Sequence, residues 1–218
     1  MKMNVKYLLL DQGVSWNDLS KYMPCISDER RQHIARFVFE KDKIVSLLAE
    51  LLIRYEVMAA LDIDNTAIGF SHNPFGKPFL DSFPDYHFSV SHTDGCVAFA
   101  GSDKSVGIDV EKIAVYAPNI AKRFFDPQEA QWIAESENKE HAFFDIWTKK
   151  EAYLKMLGTG LSKSLQSFNV LSDELSAGFT TKKLSNYMMT VCCAEATTDP
   201  IFFREIQLSH LLETFDKL

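Results

Sequence analysis

Three carboxylates and one lysine in the second half of the chain could hold a divalent cation against a phosphate. The run Val106-Gly107-Ile108-Asp109-Val110-Glu111 alternates apolar and polar or acidic residues. In a strand, that alternation puts Asp109 and Glu111 on one face, their Cα atoms roughly 6.6 Å apart. Two carboxylates on one face repel unless a cation bridges them or water screens them. Alone, the run reads first as a half-exposed strand with a solvated acidic face. The stretch from Phe143 to Lys155 changes that reading. In a helix, Phe144, Trp147, Glu151 and Leu154 share one stripe. A carboxylate within an apolar stripe is costly unless it is paired or ligates a metal. Lys155, four residues on, offers Glu151 a surface ion pair, but that leaves Trp147 without a role. Asp109, Glu111 and Glu151 together supply the hard oxygen ligands that Mg²⁺ takes, with octahedral positions left for water and a substrate phosphate. Gly76-Lys77-Pro78 sets a lysine in a rigid turn, and Ser91-His92-Thr93 ends a strand on polar residues. Singly, these read as an exposed turn lysine and a surface histidine. Gly158 suits a helix C-cap.

Elements must position these residues. Residues 4–10 read as a strand. Ser27 before Asp28-Glu29-Arg30 is an N-cap with acidic residues in the first turn, which predicts a helix over 28–37. Ile44, Leu47, Leu48, Leu51, Leu52, Tyr55 and Met58 recur at helical spacing and predict a helix over 42–61. A turn-rich segment, 71–78, follows. Tyr86, Phe88 and Val90 alternate with His87, Ser89 and Ser91 as a strand does, and 96–100 and 106–111 read as two more. Helices are expected near 118–125 and 127–136, and a long one over 139–157. Strands are expected at 168–171, 178–183 and 187–195, then a strand and a short helix within 202–218. Each half thus has strands and one long amphipathic helix, a weak echo of one α+β unit repeated.

The chain has 218 residues, 46% hydrophobic and 24% charged, which excludes a disordered chain. No apolar run approaches the roughly 18 to 20 residues of a membrane span. The net charge is −7, opposite in sign to a duplex-binding protein, so a polyanionic ligand must meet a local basic pocket or a metal. Cys25, Cys96, Cys192 and Cys193 form no CxxC pair and no zinc spacing; they read as reduced thiols of a cytoplasmic protein. The Leu8–Leu10 run is too short for the apolar region of a signal peptide.

In order along the chain, Gly76-Lys77-Pro78, Phe88-Ser89-Val90-Ser91-His92, Gly107-Ile108-Asp109-Val110-Glu111 and Trp147-Thr148-Lys149-Lys150-Glu151-Ala152-Tyr153-Leu154-Lys155 resemble the successive motifs of the 4′-phosphopantetheinyl transferases. Phe124-Phe125 followed by Glu129 resembles the family's segment between the last two motifs. The length resembles that of the two-half, surfactin-synthetase-activating type. The resemblance implies an α+β fold of two similar α/β halves in a pseudo-twofold relation, 1–103 and 104–218, with coenzyme A in the cleft between them. It implies Mg²⁺-dependent transfer of the phosphopantetheine arm of coenzyme A to a serine of an apo peptidyl or acyl carrier protein, releasing 3′,5′-ADP. By the same resemblance, Asp109, Glu111 and Glu151 are the Mg²⁺ ligands and Lys155 stands beside the reacting phosphate. Lys77, Ser91 and His92 are coenzyme A phosphate contacts, while Arg30, His33 and Ser46 meet the nucleotide end. Arg30 and His33 stand where some members have lysines, and Thr93 where a serine is frequent. Glu129 resembles a proposed general base. Carrier contacts are expected from Ile113, Val115, Tyr116, Ile120, Lys122, Arg123 and Phe124. A cytoplasmic monomer that binds neither nucleic acid nor membrane is expected. Two other readings stand beside this one: a Mg²⁺-dependent phosphohydrolase or nuclease, against which the missing basic stripe counts, and a non-catalytic carrier-binding module, against which the retained carboxylates and Lys155 count.

Overall fold

The computed structural model describes residues 3–11, 13–176, 178–195 and 200–217. Strand β1 (Asn4–Leu9) precedes helices α1 (Trp16–Leu19), α2 (Asp28–Ile34) and α3 (Glu40–Leu61), the hairpin β2 (Phe70–His72) and β3 (Pro78–Leu80), and the strands β4 (His87–Thr93) and β5 (Cys96–Ser102). Then come β6 (Val106–Lys112), α4 (Pro118–Phe124), α5 (Pro127–Glu135), α6 (Lys139–Leu157), α7 (Asp173–Ser176), β7 (Phe179–Leu184) and β8 (Tyr187–Cys193). Strand β9 (Phe203–Glu205) and helix α8 (Leu208–Phe215) come last.

The strands form two main sheets. One runs β4-β5-β1-β9, with β1 antiparallel to β5 and parallel to β9; the other runs β6-β8-β7, antiparallel throughout. Alternation gives β1 and β5 two apolar faces. Leu8, Phe88, Val97 and Phe99 pack on Leu47, Leu48, Leu51 and Leu52 of α3. Val5, Tyr7, Ala98 and Ala100 pack on Val106, Ile108, Val110, Met189 and Val191 of the second sheet. Helix α6 covers the outer side of that sheet, where Ala152 and Met156 meet Cys192. The layers are therefore helix, sheet, sheet, helix. Among the described residues no helix is long and apolar enough to cross a membrane, and the four cysteines are free thiols.

Two expectations need correction. The segment expected as a strand at 168–171 is a turn. Its backbone is claimed by two buried side chains: the Phe168 carbonyl accepts from Lys150 Nζ at 2.7 Å, and the Val170 N–H donates to Glu129 Oε1 at 2.8 Å. The expected division at 103/104 falls between β5 and β6, but β9 and α8 return to the first half. There β9 pairs with β1, and Leu211 and Phe215 of α8 join the core under α3.

Candidate functional site

Strand β6 and helix α6 meet closely because residue 107 is glycine. A Cβ there would stand 2.0 Å from the Ala152 carbonyl oxygen, so any side chain would push the helix off the strand. The close crossing brings Lys155 Nζ to 2.7 Å from Asp109 Oδ1. Strand β4 of the other half borders β6: Ser89 Oγ accepts the Ile108 N–H at 3.1 Å, and Ser91 Oγ donates to the same Asp109 Oδ1 at 2.8 Å. Asp109 is buried, and its Oδ2 has no hydrogen-bond partner among the described residues. Burial, then the Asp109 charge, pushes the Glu111 carboxyl up to about 7, against the opposing pull of a hydrogen bond from Trp147. Burial and Asp109 also raise Glu151, with Lys155 opposing. The Trp147 ring packs on Phe125 and Phe143, with centroids 6.1 and 5.9 Å away. That answers the role left open in the sequence: Trp147 is core on one side and a partner of Glu111 on the other.

The three predicted Mg²⁺ ligands thus sense one another. Among the described residues no three His, Cys, Asp or Glu side chains form a ready metal cage, and Lys155 takes one oxygen of Asp109. The donor set nonetheless fits Mg²⁺. A buried carboxylate oxygen without a partner and a neighbouring carboxyl driven toward its neutral form are what a hard cation would relieve.

A cavity borders this cluster, and a second one shares Pro78 with it. One, about 290 Å³, is walled by Phe75, Lys77 and Val90 from the first half and Glu151, Lys155 and Gly158 from the second. The other, about 350 Å³, lies within the first half and is lined by Arg30, His33, Arg36, Glu50 and Phe70 among others. His92 lies close enough to sense Lys155, Arg30 and His33. Enclosure by the surrounding chain, with the Lys155 and Arg30 charges, pushes its pKa down to about 4, so the imidazole is neutral at pH 7 although its outer edge stays open. Lys77 lines the first of these cavities, but its Nζ donates to the Val106 and Met156 carbonyls at 3.1 and 3.2 Å. Burial lowers its pKa to about 8. Ser46 is buried and accepts from Arg30 Nη1 at 3.4 Å.

Sequence reasoning missed Glu50. This buried carboxylate accepts from Ser27 N–H at 2.7 Å, Ser27 Oγ at 3.0 Å, Arg30 Nε at 3.3 Å and Arg54 Nε at 2.8 Å. It therefore aims Arg30 into the second cavity. Only the i,i+4 spacing to Arg54 was visible as a signal.

Glu129 is not drawn into the cluster and lines neither cavity. Its carboxylate is fully buried against Lys150 Nζ at 2.7 Å, and it also accepts from the Asp126 and Val170 N–H groups. Lys150 Nζ in turn donates to the Leu165 and Phe168 carbonyls. Every oxygen of Glu129 is engaged, so a substrate proton cannot reach it in this arrangement. In the segment expected to meet a carrier, Val115, Lys122, Arg123 and Phe124 are exposed, while Ile113, Tyr116 and Ile120 are half-buried. The Arg123 guanidinium lies 5.2 Å from the Phe124 ring centroid.

Residues 14–104 match the family model described as 4′-phosphopantetheinyl transferase, N-terminal, and residues 105–199 match that of the 4′-phosphopantetheinyl transferase superfamily. The chain is 33% identical over 170 residues to the 4′-phosphopantetheinyl transferase Sfp of Bacillus subtilis (strain 168), which covers 77% of this chain and 76% of that protein. It is 33% identical over 196 residues to the transferase psf-1 of Bacillus pumilus, covering 88% and 83% of the two. To the transferase gsp of Aneurinibacillus migulanus it is 41% identical over 145 residues, 66% and 60% of the two. With family models meeting where β5 passes into β6, and relatives alike across both halves, the chain belongs to the 4′-phosphopantetheinyl transferase family.

Proposed function

We propose that this enzyme transfers the phosphopantetheine arm of coenzyme A to a serine of an apo peptidyl or acyl carrier protein, with Mg²⁺, releasing 3′,5′-ADP. One observation carries the reading: Asp109, bonded to Lys155 and sensed by Glu111 and Glu151 of its own half, meets Ser91 of the other, beside a cavity walled by both halves. Phosphoryl-type transfer asks for positioning and charge neutralisation more than for covalent chemistry. Asp109, Glu111 and Glu151 would hold Mg²⁺, which when bound supplies charge stabilisation on the leaving diphosphate. Lys155, fixed by Asp109, presents its positive charge to the same phosphate oxygens. Ser91 holds the Asp109 carboxylate in place. The neutral His92 can donate an N–H to a phosphate without adding charge. Arg30 and His33 wall the cavity for the nucleotide end, with buried Ser46 accepting from Arg30, and Lys77 borders the one for the phosphates.

A carrier serine becomes a useful nucleophile only when a base accepts its proton. Glu151 suits that role through a bound water, since its own carboxylate is given to the cation. Glu129, sealed on Lys150, supports α5 and α6 instead. The carrier docks on Val115, Lys122, Arg123 and Phe124, since a chain of net charge −7 cannot attract an acidic partner as a whole. One chain supplies every wall, and the reading takes the protein as a monomer.

The test is intact-mass measurement of a panel of apo carriers after incubation with coenzyme A and this protein, with Mg²⁺ and with chelator. The expected result is a gain of one phosphopantetheine arm per carrier and release of 3′,5′-ADP, only with Mg²⁺. Cleavage of coenzyme A without any acceptor would point instead to a phosphohydrolase.

A further inference from the structure

The turn between β2 and β3 closes on one side chain. Asn73 Oδ1 accepts the N–H groups of Phe75 and Lys77, each at 2.9 Å. The Asn73 N–H donates to the Lys77 carbonyl at 3.0 Å, and the Gly76 N–H donates to the Asn73 carbonyl at 2.9 Å. The other end of the same amide crosses to the second half, where Asn73 Nδ2 donates to the Gly158 carbonyl at 2.8 Å. Gly158 caps α6 in the left-handed conformation at φ 69°. A Cβ on it would stand 3.0 Å from both Asn73 Nδ2 and Lys77 Cδ.

The last carbonyls of a helix have no partner within it and carry the negative end of its dipole. Here the first half supplies partners for two carbonyls at this end. The Met156 carbonyl accepts from Lys77 Nζ at 3.2 Å, and the Gly158 carbonyl from Asn73. Ser105 Oγ adds a bond to the Met156 carbonyl at 2.6 Å. Lys155 is the residue just before Met156, and Glu151 lies one turn earlier. The amide of Asn73 therefore joins the turn that carries Lys77 to the helix end that carries Lys155.

We propose that Asn73 is a positioning residue for transfer: by bonding the 73–77 turn with its oxygen and the Gly158 carbonyl with its nitrogen, it holds Lys155 on Asp109 while Lys77 borders the cavity. Asn73 acts through these residues and touches no reacting atom. The inference rests on the transferase reading of the site.

Two substitutions separate the ends of the amide. Asn73→Asp keeps an oxygen for the Phe75 and Lys77 N–H groups but sets a second oxygen against the Gly158 carbonyl. Asn73→Ala removes both bonds. Transfer to an apo carrier is measured per folded molecule, with the folded fraction taken from a melting curve. Asn73→Asp is expected to lower kcat about tenfold to a hundredfold, the effect of a small misplacement of catalytic groups, while KM for coenzyme A stays within about threefold. Asn73→Ala should lower kcat alike and raise KM about fivefold or more, because the turn is released too. In a Lys155→Ala background, Asn73→Asp should cost less than about threefold further, since the residue it positions is gone. Wild-type kcat in Asn73→Asp, or the same loss with and without Lys155, would overturn the inference and leave Asn73 a stability residue only. Should Asn73→Asp not fold, Gly158→Ala, which drives a Cβ against the same nitrogen, is scored in the same way. Absence of transfer by the wild type to every carrier would overturn the transferase reading itself, separately from the role of Asn73.

Discussion

Asp109 carries two hydrogen bonds on one carboxylate oxygen and, among the described residues, none on the other, while two more carboxylates feel its charge. Replacing it by alanine therefore does two opposite things. It removes an oxygen proposed for the metal and the anchor of Lys155, and it relieves repulsion on Glu111 and Glu151. Asp109→Ala should cut carrier modification by roughly a thousandfold, as loss of a preorganised charge-stabilising group does. The ligand-free protein should melt no lower than wild type. Full activity in Asp109→Ala, with melting and intact-mass data on the same preparation, would remove the mechanism. The proximity of these residues was legible in the sequence because the period of two in β6 pairs Asp109 with Glu111, and the period of four in α6 pairs Glu151 with Lys155. The Ser27 and Arg30 bonds of Glu50 and the Gly158 bond of Asn73 were not legible. Those partners lie 20 to 85 residues away, and only the tertiary fold brings them together.

Helices α3 and α6 follow the apolar spacing read from the sequence, and α6 keeps its expected bounds because Asn138 caps one end and Gly158 the other. The stripe expected on α6 is displaced, however. Thr148, Ala152 and Met156 turn inward, since the helix must lie on Gly107 and Thr190. The failed strand at 168–171 has a related cause. An apolar run looks like a strand until a buried ion pair takes its backbone groups, and nothing in a single segment discloses that Glu129 and Lys150 will do so. Burial raises the Glu129 carboxyl and lowers the Lys150 amine, each opposed by the other's charge. Removing one member leaves the other buried and uncompensated, a loss of about 3–5 kcal/mol. Glu129→Ala should thus lower Tm by roughly 10 °C while kcat per folded molecule stays within about threefold of wild type. An unchanged Tm with a collapsed kcat would return Glu129 to the role of base.

The layer order of helix, sheet, sheet and helix leaves one further carboxylate inside. Glu56 of α3 is buried, accepts from Asn4 Nδ2 through one oxygen, and has no partner on the other among the described residues. Burial raises its pKa, and Lys6 and Asn4 only partly offset this. The folded state then holds the proton more tightly than the unfolded chain does. The contribution to stability is full below the ordinary carboxylate range and is lost as pH rises through the folded pKa. Glu56→Gln should match wild type in Tm near pH 4 and exceed it by roughly 3 °C at pH 8; an equal difference at both pH values would refute the assignment. Sequence reading foresaw the two halves but not how they close, because β9 is only three residues long and its partner β1 lies almost 200 positions earlier. That pairing has a consequence for biosynthesis. Until the ribosome has delivered β9 and α8, the first sheet lacks a strand and the floor of the α3 core lacks Leu211 and Phe215. The half that emerges first must wait, unfinished, until residues 203–215 have been made, and the two halves are committed together rather than one by one.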